Sequence, residues 1–168
     1  DPNGDLLAVY RKIHLFEIDL PEVSFRESKG VAPGREVVVA ELRSGGIGPI
    51  GLSVCYDLRF PELYRQHSER GATVLLVPAA FTVPTGRAHW ELLLRARAVE
   101  NQAYVVAAAQ FGAHSPRRSS YGHSMIVDPW GRVLCEIPDG EGIGLAELDR
   151  GELDRVRARL PALDHRVL

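Results

Sequence analysis

The stretch Gly51-Leu52-Ser53-Val54-Cys55-Tyr56-Asp57-Leu58-Arg59-Phe60-Pro61-Glu62 limits the fold more than any other part of this chain. An apolar run stops at Cys55, a short turn follows, and Pro61-Glu62 opens a helix that Gly71 closes. Proline at the first helical position and glycine just past the end is the asymmetry that helices favour. The pattern then repeats. Ala72 to Val77 is a continuous apolar strand, as found where both faces of a sheet are covered. From His89 to about Gln102, Trp90, Leu93, Leu94 and Ala98 recur at helical spacing. Tyr104 to Gln110 is again an apolar strand. Strand, helix, strand, helix, strand signals a layered α/β sheet.

The flanking segments read as strands and loops. Asp1 to Asp5 is a turn between two strands, with Leu6 to Tyr10 as the second. The chain therefore starts in mid-hairpin and without Met, which leads us to expect the C-terminal portion of a longer protein. Ser28 to Arg35 is a loop, and Val37–Leu42 pairs with Ile47–Val54 around the turn Arg43-Ser44-Gly45-Gly46. Pro78 to Gly86 is a loop, and Gly112 to Gly122 a polar loop whose Arg117 and Arg118 face solvent. Ser124–Asp128 and Val133–Ile137 form a hairpin around Asp128-Pro129-Trp130-Gly131. Gly144 to Asp149 is a further strand, and Glu152 to Leu160 a final helix stopped by Pro161.

Composition narrows the function. A length of 168 residues suits one domain, and 45% hydrophobic residues allow a sizeable core. A net charge of -2 makes no case for nucleic acid or a membrane surface as a partner. Two cysteines form neither a disulfide framework nor a zinc spacing, so a cytoplasmic setting is the simplest expectation. No metal or cofactor is implied.

Cys55 is the candidate nucleophile. A thiol at a strand-to-helix junction lies near N–H groups that lack helical partners. Those groups favour a thiolate and can hold a developing oxyanion. The same residue type also fills cores; Cys135, with no helix after it, reads as structural. Lys12 sits among apolar neighbours, as a snorkelling edge residue or as a cation that stabilises a transition state. In the second role it needs a carboxylate, and spacing alone leaves Glu17, Asp19, Glu22 and Glu27 open. Asp57, Arg59 and Glu62 read as local ion-pair braces of the turn. A thiol–imidazole dyad with His89 or His123 has nothing in the spacing to favour it.

Tyr10-Arg11-Lys12-Ile13-His14-Leu15-Phe16, Glu27-Ser28, the stretch from Gly51 to Glu62 and Pro78-Ala79-Ala80-Phe81 together resemble the nitrilase, or carbon–nitrogen hydrolase, superfamily. His89-Trp90-Glu91, Tyr121-Gly122-His123-Ser124 and Asp128-Pro129-Trp130-Gly131 extend the likeness along the chain. Within that family the chain is similar to the branch of deaminated-glutathione amidases. The resemblance implies a four-layer α-β-β-α sandwich, here N-terminally truncated, and a Glu-Lys-Glu-Cys set. Lys12 then takes the lysine position, Glu27 the second glutamate and Cys55 the nucleophile. The first glutamate, the family's general base, lies upstream of the lysine and has no counterpart in this sequence. The backbone of Tyr56 joins Lys12 in holding the oxyanion, and Phe81 and Thr85 line the substrate pocket. The implied activity is hydrolysis of a small carboxamide by a homodimer. The alternatives are a catalytically incomplete interaction module and a carbamoyl hydrolase.

Overall fold

The structure, a computed structural model, describes residues 1, 3–20, 23–42, 45–116 and 118–167. Its backbone is a six-stranded mixed sheet built from β3 (Val39–Ala40), β4 (Ile50–Leu52), β5 (Val74–Leu76), β6 (Tyr104–Ala107), β9 (Met125–Val127) and β10 (Val133–Glu136). The strands lie in the order β10-β9-β6-β5-β4-β3. β4, β5 and β6 run parallel, with Gly51 opposite Leu75 and Leu75 opposite Val105. The crossovers between them are the helices α1 (Pro61–Glu69) and α2 (Val83–Asn101). Antiparallel strands close both sides: β3 on β4, and β9 on β6. A third helix, α3 (Arg150–Arg159), follows β10, capped by the Asp149 carboxylate on the Gly151 N–H at 2.7 Å.

The period-two pleat sorts β5 into two cores. Leu75 and Val77 join Leu63, Tyr64, Trp90, Leu94 and Ala98 of the helix layer in the main cluster. Val74 faces the other way, with Tyr104 and with Leu153 of α3. The chain thus supplies a helix layer and a sheet layer of the implied sandwich.

Several boundaries differ from the sequence reading. α2 begins at Val83, six residues before His89, so Pro84, Thr85 and Gly86 belong to its first turn and not to a loop. Proline breaks a helix interior but suits its first turn, which the reading of Pro78–Gly86 as loop missed. Residues 112–122 are no open loop: β7 (Phe111–Ser115) pairs with β8 (Arg118–Tyr121). β7 is mostly exposed and β8 half so, and no apolar alternation marked them. A second unanticipated hairpin joins β1 (Glu17–Leu20) and β2 (Val23–Arg26). Leu6–Tyr10 and Gly144–Asp149 run without strand pairing among the described residues. The 124–137 hairpin is as expected, with a bulge between Val133 and Cys135. Glu22, Arg117 and the Arg43-Ser44 half of the 43–46 turn lie outside the described residues.

Candidate active site

β4 ends at Leu52, and the chain enters a 3₁₀ turn at Cys55–Arg59 before α1 opens at Pro61. Cys55 itself sits at φ 52, in the left-handed region. A non-glycine residue there costs about 1–2 kcal/mol, so its neighbours must hold it. The Cys55 N–H donates to Pro78 O at 2.9 Å, across to the loop that follows β5. The Asp57 carboxylate accepts the Val54 N–H at 2.9 Å, and the Asp57 N–H returns to Val54 O at 3.1 Å. The turn thereby holds Cys55 just past the C-terminal end of β4, the position a nucleophile takes on an elbow.

The sulfur lies between two openings. One is a cleft of about 350 Å³ walled by Lys12, Phe25, Glu27, Cys55, Gln110 and Arg118 among others. The other is a narrow slot of about 20 Å³ lined by Cys55, Tyr56, Arg59, Phe81 and Thr85 with Phe16, Ala80 and Thr82. All six residues singled out from the sequence therefore border the space around one sulfur: Lys12 and Glu27 on the cleft, Tyr56, Phe81 and Thr85 on the slot, and Cys55 on both.

Of the three candidate carboxylates among the described residues, Glu17, Asp19 and Glu27, it is Glu27 that pairs with Lys12, by an ion pair between Oε2 and Nζ. The β1–β2 hairpin makes this pairing. It folds Glu27 back beside Phe16, with the Glu27 N–H donating to Phe16 O at 3.0 Å. The Phe16 N–H donates to Glu27 Oε2 at 2.7 Å. Glu17 instead accepts from Ser28 Oγ at 2.5 Å. Burial works to raise the pKa of Glu27. The Lys12 and Phe16 hydrogen bonds and the charges of Lys12 and Arg118 outweigh it, so the carboxyl titrates below its ordinary range. An anion so firmly held is a poor proton acceptor and a good anchor for Lys12.

The expectation of a resting thiolate is overturned. Burial pushes the Cys55 thiol above its ordinary value, and the Glu27 and Asp57 carboxylates add to that. The Ala80 N–H and the Lys12 charge pull the other way without prevailing. The junction offers donors, but burial of the sulfur dominates. A thiol of this kind needs a base to take its proton at the moment of attack.

Two other assignments change. Asp57 braces its turn as expected, though by accepting the Val54 N–H and not through an ion pair within the turn. Arg59 does not brace the turn. Its guanidinium lies over the Tyr56 ring at 5.7 Å and the Phe81 ring at 5.3 Å, on the slot wall. Arg118, read as solvated, borders the cleft and lies 5.7 Å above the Phe25 ring. No local signal marks it, because the β7–β8 pairing brings it there. Neither histidine forms a dyad with Cys55: His89 meets Arg59 at 3.3 Å, and His123 meets Glu136 at 2.7 Å and Asp139 at 3.2 Å. Among the described residues no cluster of His, Cys, Asp and Glu is arranged to hold a metal ion. No helix among them is long and apolar enough to cross a membrane.

A cysteine elbow facing a lysine–glutamate pair on a mixed α/β sheet defines a class, and the comparisons agree. The sequence matches the carbon-nitrogen hydrolase family over residues 1–158, and the chain belongs to that family. It is 49% identical to a deaminated glutathione amidase of Dictyostelium discoideum over 171 residues, covering 100% of this chain and 58% of that protein. The crystal structure of the Caenorhabditis elegans NitFhit protein superposes with a TM-score of 0.92 at 48% identity, over 99% of this chain and 40% of that one. A mutant amidase from Nesterenkonia sp. AN1, with the acetamide moiety of fluoroacetamide added covalently at its active-site cysteine, superposes with a TM-score of 0.76 at 32% identity. That match covers 96% of this chain and 57% of the amidase. The chain thus spans a little under three-fifths of the Dictyostelium relative.

Proposed function

We propose that this chain carries the nucleophile and the oxyanion cation of an amidase that cleaves a small-molecule carboxamide through a thioester. The observation that carries the reading is the convergence of Cys55 and the Lys12–Glu27 pair on one cleft. The covalent adduct on the cysteine of the Nesterenkonia amidase supports it by analogy.

In this mechanism a general base takes the Cys55 proton as Sγ attacks the carboxamide carbon. The carbonyl electrons move to oxygen, and the oxyanion is met by the Lys12 ammonium and the Tyr56 N–H. One such donor is worth roughly 3–4 kcal/mol. The base returns its proton to the nitrogen, the C–N bond breaks, and ammonia leaves a thioester on Cys55. Water then gives a proton to the same base and adds to the thioester carbon. The C–S bond breaks, giving the acid and the free thiol. Glu27 anchors Lys12, and the base is the first glutamate of the family's set. Phe81 and Thr85 position the substrate from the slot. The likeness to deaminated glutathione amidases favours a substrate of that type, or a short ω-amide. From the family resemblance we infer a homodimer and from the cysteine usage a cytoplasmic setting, which light scattering and fractionation check.

The test is ammonia release from such amides, with mass spectrometry for an acyl adduct. Cys55→Ala should abolish both signals, and full activity in that variant would end the proposal. Turnover of N-carbamoyl compounds with no turnover of amides would favour the carbamoyl hydrolase reading instead.

A further inference from the structure

Lys12 stands on an irregular segment: residues 10–16 enter no sheet until β1 begins at Glu17. A cation on such a segment needs external supports to hold a productive geometry. Two are local. Its Nζ pairs with Glu27, and its carbonyl oxygen accepts the Gly34 N–H at 2.8 Å. The third is the carboxylate of Asp57, two residues past the nucleophile and fully buried.

Asp57 Oδ1 accepts the His14 N–H at 3.0 Å and lies 2.8 Å from His14 Nδ1. Asp57 Oδ2 accepts the Tyr10 hydroxyl at 2.8 Å and the Val54 N–H at 2.9 Å. The Tyr10 oxygen in turn accepts the Ile13 N–H at 3.2 Å. The His14 ring stacks on Phe60 at 3.7 Å. One carboxylate therefore grips the chain two residues before Lys12, two residues after it, and one residue before Cys55. A carboxylate offers about four acceptor positions, and these partners fill them. Asp57 has no acceptor position left for substrate and is fully buried, so its contribution is to geometry.

We propose that Asp57 is a positioning residue, fixing the Lys12 charge against the Cys55 sulfur by holding both segments on one buried carboxylate. The assignment rests on the reading of Lys12 and Cys55 as a reacting pair. It goes beyond bracing the 55–59 turn, because it makes the location of the cation depend on a residue of the nucleophile's own turn.

The test compares alkylation of Cys55 by iodoacetate, an anion, and iodoacetamide, which is neutral, with Cys55 read separately from Cys135 by mass spectrometry. The ratio of the two rates reports the positive charge at the sulfur, which a general loosening of the fold does not change selectively. Lys12→Met should lower the ratio about fivefold, the scale of removing one charge from a partly solvated cleft. Asp57→Asn also removes a negative charge near the sulfur, which by itself raises the ratio, so a fall in that variant, in protein that still unfolds cooperatively, reports the displaced cation. Tyr10→Phe removes one of the same supports with no change of charge and should lower the ratio as well. A Tyr10→Phe ratio equal to that of the unmodified protein, with a fall in Lys12→Met, overturns the positioning role and leaves the catalytic reading intact. An unchanged ratio in Lys12→Met overturns that reading and this proposal with it.

Discussion

Arg97 donates two hydrogen bonds to the carbonyl oxygen of Leu58, from Nε at 3.0 Å and from Nη2 at 2.8 Å. Leu58 lies in the nucleophile turn and Arg97 in the C-terminal part of α2, so the fork ties the helix layer to the site. Nη1 is engaged with Glu100 at 2.9 Å, and the guanidinium lies 5.4 Å from the Tyr64 ring centre.

Arg97→Lys is expected to lower the unfolding free energy by about 1–3 kcal/mol. An ammonium cannot reproduce a fork that donates twice to one carbonyl while reaching a carboxylate. Urea unfolding at neutral pH measures it.

Gly86 is buried in the first turn of α2, and a Cβ there would run into the Cβ and ring of Tyr121 on β8. Gly86→Ala gains helix propensity of at most about 1 kcal/mol. Overpacking costs about 1–3 kcal/mol. Net destabilisation is the expected outcome in thermal unfolding, and Gly86 lies beside Thr85 on the slot wall, so KM for a slot-filling amide should rise with it.

His67 is fully buried with its ring against Gly51, and neither ring nitrogen finds a partner among the described residues. Burial lowers its pKa from 6.5 to about 4, helped by the charge of Arg70. Between those values the unfolded chain binds the proton and the folded chain does not, so stability rises with pH there. The contribution is complete above about pH 6.5 and is lost as pH falls toward 4, amounting to about 3 kcal/mol at most. His67→Leu should flatten that part of the stability–pH curve, and a slope as steep as the parent's would contradict it.

Lys12 and Glu27 act on the Cys55 thiol with opposite sign. In rate–pH profiles for iodoacetamide, Lys12→Met is expected to move the Cys55 inflection to higher pH, and Glu27→Gln to lower pH. Amide hydrolysis should fall in both. A Glu27→Gln variant that alkylates faster yet hydrolyses more slowly separates thiol acidity from catalysis.

The centre of the sheet was legible because β5 and β6 are buried on both faces. The apolar runs ending at Val77 and beginning at Tyr104 have no other use, and Pro61 and Gly71 punctuate the α1 that precedes the first of them. The Cys55 junction was visible for the same reason. The pairing of Lys12 with Glu27 was not legible from spacing, because a hairpin of short, half-exposed strands makes it. The family likeness, not the pattern, selected Glu27. Arg59 and Arg118 were missed because a guanidinium on a cleft wall has the same sequence surroundings as one in water. The thiol's acidity was misjudged for a similar reason: sequence shows the donors near a sulfur but not how little water reaches it.

Cys55 and Ala80 hang from neighbouring parallel strands, and the bond from the Cys55 N–H to Pro78 O laces them together again just beyond the sheet. Breathing of the sheet therefore carries the sulfur and the amide facing it as one piece. The lysine rides on a separate tether of loops and side chains. Drift among homologues in rate or preference should accumulate in that tether, the half of the machine that can be retuned without recasting the frame.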